Sequence, residues 1–536
     1  MRFFIRGMVA FSILYLFSSD SHFGRKSNIF RLHCKRPSFM VFDYVTVIKL
    51  SEMALSEILN RQPAKSTVAF FLVILVSIAA ITRWINVSIM TGPLQKKFLL
   101  RGTSQTYSSE FDCSLNCSDI SPLTSTDNKE PSESCPEYFK WIHEDLKPWK
   151  VTGITKEMVE KVKERAHLNI VIMNGRMYIR KFKEAFQTRD TVTIWGILQL
   201  LRFYPGKLPD LDLMFECGDV PKIRKHDYAR SNASYPPPPM FHYCGDDLSF
   251  DIVFPDWSFW GWPELNIKPW EILKKDLQEG NSRIKWSDRE PYAYWKGNAR
   301  VSTVRHELVK CNASEWNARI DQVDWGHEIK HGFETADLAS QCTHRYKIYA
   351  EGVAWSVSEK YILACDSMSL IINPRYYDFY TRSLLPTIHY WPINEKDKCK
   401  SIKFAVEWGN KHMNEAQEIG KRGSKYVQEQ LKMKFVYDYM FHSLTEYSKL
   451  LKYKPTVPKG AVEVCSETMV CSVEGSMKKL RIDSMVKNPA DSSPCTMPSS
   501  YYPAELEDFL EMKENLTKQV RTLEESERIG IPTMKI

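Results

Sequence analysis

Leu208 to Pro221 (LPDLDLMFECGDVP) reads as a buried strand that ends in Gly218-Asp219. A carboxylate at the carboxyl end of a strand, facing a cleft, can take a proton from an acceptor hydroxyl; it can equally cap the turn that follows. Glu290 to Asn312 (EPYAYWKGNARVSTVRHELVKCN) reads as a strand over Tyr292–Trp295, then Lys296-Gly297-Asn298, then a helix opened by Ser302. Gly297 lets backbone approach a ligand closely, and helix amides with Lys296 and Arg305 would suit a diphosphate. An ordinary strand–turn–helix with surface charges is the other reading.

Arg345 to Pro392 holds a succession of βα units. Tyr346 to Glu351, with Lys347, Ile348, Tyr349 and Ala350 between, leads into Gly352 and a helix over Val353–Leu363 carrying Ser356 and Lys360. Ser369–Ile372 is a second short strand. Ligands of open α/β sheets bind outside the carboxyl ends of strands, so Arg345, Lys360 and Arg375 are placed to meet phosphates. Tyr346 or Tyr349 could stack on a nucleobase, and Glu351 or Glu359 could hold a ribose hydroxyl. Each of these is also readable as a solvated charge or a core aromatic.

Two further segments bear on chemistry. Pro255 to Glu264 (PDWSFWGWPE) sets Trp257, Phe259, Trp260 and Trp262 close together, suited to sugar rings and peptide turns or to the core at a domain edge. Asp210 and Asp212 form a DxD, a pattern that can hold a divalent metal on a nucleotide diphosphate. It falls where the strand begins rather than where it ends, so it reads as structural or solvent-facing. Cationic side chains stabilising the leaving diphosphate without a metal fit better.

Alternating strand and helix signals must position these residues, which argues for an α/β fold with parallel sheets. Helices are expected over Lys156–His167, Thr191–Leu201, Trp270–Gln278, Lys400–Lys432, Tyr437–Leu451 and Ala504–Glu525. Before the compact region, Thr67 to Ile81 (TVAFFLVILVSIAAI) is uncharged and with its flanks approaches the ~17–20 residues that span a bilayer. The basic arm before it puts the N-terminus in the cytosol and the bulk of the chain in the lumen. Met8 to Phe17 is a shorter apolar stretch, read as part of an N-terminal extension.

The chain has 13 cysteines; only Cys34 precedes the apolar segment, and the 12 that follow could all pair in an oxidising lumen. Asn116, Asn232, Asn312 and Asn515 begin N-x-S/T sequons on the same side. The net charge of +8 is mild and forms no basic stripe, which argues against nucleic acid. The division is then a cytosolic arm (1–66), a signal anchor (67–85), a stem (86–134), an acceptor-side domain (135–290), a donor-side domain with a crossing helix (291–454) and a tail (455–536).

From about Cys135 to Lys454 the chain resembles glycosyltransferase family 90, the group of Rumi-like protein O-glucosyltransferases and capsule-associated transferases. The markers are HEDLKPW, NGRMYIR, FQTR, LPDLDLMFECGDVP, FPDWSFWGWPE, YWKGNARVSTVR, CTHRYKIYAEGVAWSVSEKYILACDSMSLI and EIGKRGSKYVQEQL. RYYDFY and VCSETM are similar in style to the plant branch. The resemblance implies a GT-B fold, two Rossmann-like halves facing across a cleft. It implies inverting, metal-independent transfer from UDP-glucose or UDP-xylose, with no cofactor and with a protein Ser/Thr or a xylan-type polysaccharide as acceptor. By the same resemblance Asp219 is the general base. Asn298, Arg305 and Tyr346 through Glu351 meet the nucleotide, Phe186 through Arg189 line the site, and Asp256 through Trp262 form the acceptor loop. Two departures are notable: Glu351 stands where relatives have an arginine, and Gly261-Trp262-Pro263 replaces a glycine-rich stretch. A tethered glycan-binding protein with an inactive donor site is the rival from another class. The anchor, and a C-terminus Thr533–Ile536 without a retrieval signal, point to the Golgi membrane ahead of the endoplasmic reticulum.

Overall fold

The computed structural model describes residues 117, 133–229 and 236–529. The expected cytosolic arm, the expected span at 67–85, nearly all of the expected stem, Met8–Phe17, Cys34, Asn116 and Asn232 lie outside the described residues. Among the described residues no helix is long and apolar enough to cross a membrane.

The fold is mixed α/β, built on two sheets. The first begins with β1 (Leu168–Met173) and β2 (Arg176–Lys181), an antiparallel pair. Asn174 and Gly175, at φ 51° and 72°, make the turn between them. Positive φ at both central residues is what a two-residue hairpin needs, and Asn-Gly supplies it at least cost. After helix α1 (Arg189–Phe203) comes β3 (Leu211–Phe215), all five residues buried. It runs antiparallel to β1, whereas β4 (Phe241–His242), separated by β5 (Gly245–Asp246) from β6 (Ile252–Val253), and β6 itself continue the sheet in parallel. The expectation of parallel sheets therefore holds only in part here: the hairpin and β3 make this first sheet mixed.

Helix α2 (Trp270–Arg283) leads to the second sheet. Its strands are β7 (Glu290–Gly297), then, past helix α3 (Thr303–Leu308), β8 (Ala318–Gln322) and β9 (His344–Tyr349). Helix α4 (Ser358–Leu363) precedes β10 (Met368–Ile372), β11 (Tyr376–Tyr377) and β12 (Trp391–Ile393). The order is β12-β10-β9-β7-β8 and every pairing is parallel. This is a doubly wound sheet whose direction of winding reverses between β7 and β9, where such sheets open a crevice at their carboxyl ends. The expected helix over Val353–Leu363 is shorter than its pattern; residues 353–357 are loop, and only α4 is helical.

Helices α5 (Lys398–Lys411) and α6 (Met413–Gln430) cover the second sheet, and α7 (Met433–Leu450) returns to the first core. Tyr447 of α7 donates to the Asp212 carbonyl at 3.0 Å. The tail is structural. Strand β13 (Val462–Val464) extends the first sheet beside β2, and two disulfides, Cys117–Cys465 and Cys135–Cys495, hold it. The last helix, α10 (Pro503–Ile529), follows two short ones, α8 (Ser466–Cys471) and α9 (Gly475–Asp483). Its start pairs Glu505 with Lys140 at 2.7 Å and its far end buries Val520 in the second core, so it docks within the chain across both lobes.

Cys311–Cys399 and Cys342–Cys365 are also bonded, and Cys471 is oxidised. Cys217 and Cys244 stay free and buried, so of the twelve that could pair these two do not.

Candidate functional site

Asp219 lies past the carboxyl end of β3, its side chain 37% exposed. Arg189, the first residue of α1 and nearly buried, donates to it at 2.9 Å. The guanidinium of Arg189 in turn lies over the Trp257 ring at 4.3 Å and over Phe186 at 5.1 Å. Phe186 is 65% exposed, an apolar side chain left open beside a carboxylate. Gln187, at φ 59°, turns the chain between them and accepts from the Trp262 indole at 2.8 Å.

The turn that carries Asp219 is fixed from behind. Glu216, buried, accepts the Gly218 N–H at 2.7 Å and lies 3.0 Å from His242 Nε2. Burial alone would raise its pKa; the His242 imidazole and Lys222 more than offset this and hold it below the usual carboxylate value. The Cys217 N–H donates to His167 Nδ1 at 3.0 Å, and the Cys244 thiol donates to the Asp219 carbonyl at 3.3 Å. A side chain at Gly218 would collide with the Glu216 carboxylate at 2.8 Å. Sequence pattern does not reveal this support; a buried acid three positions before Asp219 has no periodicity to betray it.

At the crevice of the second sheet, Ser302 caps α3 by accepting the Arg305 N–H at 3.3 Å, as its position before the helix implies. Arg305, buried, spans the gap between the ends of β7 and β9. It donates twice to the Ala350 carbonyl at 3.1 and 3.0 Å, to Ser356 Oγ at 2.9 Å and to the Asn298 carbonyl at 3.5 Å. Burial draws its pKa down from the ordinary arginine value, with Tyr349 and Glu351 opposing. Asn298 caps the turn that follows Gly297 by accepting the Arg300 N–H at 2.9 Å, and half-buried Lys296 pairs with Thr335 at 2.9 Å.

Glu351 is engaged by backbone amides. Its carboxylate accepts the backbone N–H groups of Arg375 at 2.8 Å and Tyr376 at 2.7 Å. It thereby pins β11, which pairs with β5 of the first lobe. Its pKa is raised by burial, against those two N–H groups.

Several expected donor contacts are absorbed elsewhere. Tyr346 is fully buried, packs on Gly409 and donates to Asn410 at 2.8 Å, so it offers no stacking face. Lys347 is buried beside the Cys365 sulfur at 3.3 Å, its pKa lowered to about 7 by burial and by Arg289. Ile348 is core, and Tyr349 is buried and accepts the Ser356 N–H at 3.0 Å. Lys360 is 1% exposed and meets Asp256 at 3.3 Å and Ser258 at 2.7 Å, joining the lobes instead of a phosphate. Arg345 is held by Asn410 at 3.2 Å, whereas Arg375 is exposed next to Glu351. In the aromatic loop Asp256, Trp257, Phe259 and Trp260 are buried and only Trp262 is half-exposed, which makes most of that loop core. Asp210 accepts the Asn174 N–H at 2.8 Å, and Asp212 accepts from Asn169 at 2.7 Å and Tyr453 at 3.1 Å.

What joins the two groups is Trp355. Its ring contacts His242, Tyr243 and Trp257 of the first lobe at 6.2, 5.8 and 6.0 Å, and it adjoins Ser356, the Arg305 partner. A proton acceptor with an exposed edge, a buried cation at a doubly wound switch point and an open aromatic face thus converge. Such a set suits a hydroxyl nucleophile and an anionic leaving group.

Residues 130–524 match the sequence profile of Glycosyl transferase family 90. The chain is 26% identical to human Protein O-glucosyltransferase 1 over 358 residues, 63% of this chain and 86% of that one. It is 26% identical to Protein O-glucosyltransferase 1 of Bos taurus, over 62% of this chain and 86% of that one. To the O-glucosyltransferase rumi of Drosophila melanogaster it is 27% identical, over 61% of this chain and 80% of that one. With a match over most of its length, and with these relatives, the chain belongs to glycosyl transferase family 90 and is a glycosyltransferase.

Proposed function

We propose that this glycosyltransferase has a GT-B arrangement and transfers glucose or xylose from UDP to a protein Ser/Thr hydroxyl with inversion. Asp219 takes the acceptor proton as the hydroxyl oxygen bonds to the anomeric carbon. The bond from that carbon to the diphosphate oxygen breaks, and its electron pair leaves with UDP. Arg189 holds the Asp219 carboxylate in place. Arg305 orders the Ala350–Ser356 loop around the leaving group and supplies fixed positive charge; Lys296 and Asn298 flank it. Phe186 and Trp262 offer the acceptor an apolar face. The observation that carries the reading is the run of contacts from Asp219 through Arg189, Trp257 and Trp355 to Ser356 and Arg305. The names of the relatives support glucose, and a xylan-type polysaccharide is the alternative acceptor. A tethered glycan binder without donor activity loses its main support, because Glu351 is spent on backbone amides. The oxidised cysteine pairs favour a lumenal domain, in keeping with a single-pass Golgi protein and, second, with the endoplasmic reticulum.

The test is Asp219→Asn with UDP-glucose and UDP-xylose as donors. Turnover falls about 10²–10⁴-fold, the usual worth of a positioned base, while UDP binding is kept. Wild-type turnover in that variant refutes the role.

A further inference from the structure

Helix α6, helix α10 and residues of the 383–391 segment wall two neighbouring cavities that share Arg422, taken together as one groove. The cavities are of about 570 Å³ and about 450 Å³. None of the residues used at the candidate site takes part. The first cavity offers Tyr426, Tyr501 and Phe509, all half-buried; the second offers Phe404, Trp408 and His412, half-buried as well. Trp408 lies between Trp391, at 4.3 Å, and His412, at 4.9 Å, so three rings form a short ladder with two of them partly open.

Both signs of charge line the groove, with Lys411 and Arg422 beside Glu415, Glu418 and Glu527 in the second cavity. In the first cavity Lys140, Arg422 and Lys425 stand against Glu137, Glu429 and Glu505. A polyanion or polycation would meet like charges at every step, whereas hydroxyl groups can bond to either sign. The wall also holds polar groups without partners. Trp391 lines the second cavity, is fully buried, and its indole N–H has no acceptor among the described residues. Such a group costs free energy unless something accepts from it. His389 in the first cavity is uncharged: burial, with Arg422 and Lys513 nearby, lowers its pKa to about 4. Its Nδ1 accepts the Leu385 N–H at 3.0 Å, so Nε2 keeps a proton to donate. Thr387, also lining the second cavity, stands at φ 60°, a costly backbone for a β-branched residue.

We propose that this groove binds a neutral oligosaccharide chain, its rings laid on the aromatic faces and its hydroxyls on the mixed charges. From Asn414 to Gln430, α6 runs for about 24 Å at ~1.5 Å per residue, long enough for several linked rings. The groove is separate from the transfer centre, and it would hold a glycan at a distance from the reacting hydroxyl.

The test is calorimetric titration of the full-length protein, without donor, using cellohexaose, xylohexaose and an oligogalacturonide of similar length. At least one neutral chain gives saturable binding, weakened roughly tenfold by Trp408→Ala and by the surface variant Arg422→Gln, the effect of one lost contact. Transfer to a short acceptor and thermal stability stay at wild type in Arg422→Gln, which guards against a folding defect. The proposal is overturned if no neutral chain binds at millimolar concentration, if the oligogalacturonide binds more tightly, or if both variants bind as wild type. A concentration-dependent dimer that occupies the groove would also overturn it. Because binding is read without turnover, loss of transfer with glycan binding intact refutes the enzymatic reading alone.

Discussion

Lys360 separates two accounts of the same residue. As a phosphate ligand its loss would raise the donor KM and leave stability alone; as a buried tie between lobes it does the opposite. Asp256 is fully buried and Lys360 is 1% exposed, with 3.3 Å between their charged atoms. Burial works against the lysine charge, but the Asp256 carboxylate holds its pKa above the ordinary value. In Lys360→Met the aspartate keeps Ser258 and loses its countercharge. Removing one partner of a buried pair costs ~3–5 kcal/mol. Unfolding entropy of ~2.1 cal/mol/K per residue over about 400 residues gives ~0.8 kcal/mol/K, so Tm falls by ~4–6 °C. Lys360→Met with Asp256→Asn removes both charges and recovers most of the loss, the non-additivity expected of a directly coupled pair. Differential scanning fluorimetry with UDP-sugar kinetics reads both quantities. An unchanged Tm together with a raised donor KM would refute the tie and restore the phosphate role.

Three other outcomes follow from the geometry. Glu359, buried near the Glu351 charge, has its pKa raised from 4.5 to about 8. The folded chain keeps that proton where the unfolded chain releases it, so stability falls as pH climbs from about 4.5 to about 8; Glu359→Gln gains on wild type over that window in Tm measured against pH, and parallel curves would contradict this. Glu216→Gln keeps one acceptor for the Gly218 N–H but loses the charge beside His242, costing ~1–3 kcal/mol; kcat drops with donor KM little changed, and equal changes in both would argue against a positioning effect. Cys495→Ser frees the tail and costs ~2–5 kcal/mol, seen as a lower Tm and earlier protease cleavage after residue 455; an unaltered Tm would count against the bond.

The second lobe was the more legible in sequence, for physical reasons. Buried parallel strands such as Met368–Ile372 are short apolar runs between turn residues, and Ser302 announces the start of its helix. The α/β class and Arg305 at the switch point could be read from that. In the first lobe the alternation of strand and helix signals implies a parallel sheet, whereas the Asn174-Gly175 turn makes β1 and β2 an antiparallel hairpin. Side-chain destinations were the least legible. Nothing local distinguishes Lys360, which crosses to Asp256, from Arg375, which stays in solvent. Glu351 read as a misplaced charge because its partners are backbone amides more than twenty positions away. Trp355 inside GVAWS carries no local signal of its role, yet its contacts bring the two lobes together.

The placement of β13 beside β2 bears on how the chain is made. The strand that completes the first sheet is translated about 280 residues after the one it pairs with, a delay of roughly 15–60 s at ~5–20 residues per second. For that interval β2 offers an open row of amides and carbonyls, the kind of edge on which chains stick to one another. The N-terminal lobe, first out of the ribosome, is thus among the last parts to be sealed, because its outer edge waits for the C-terminal tail.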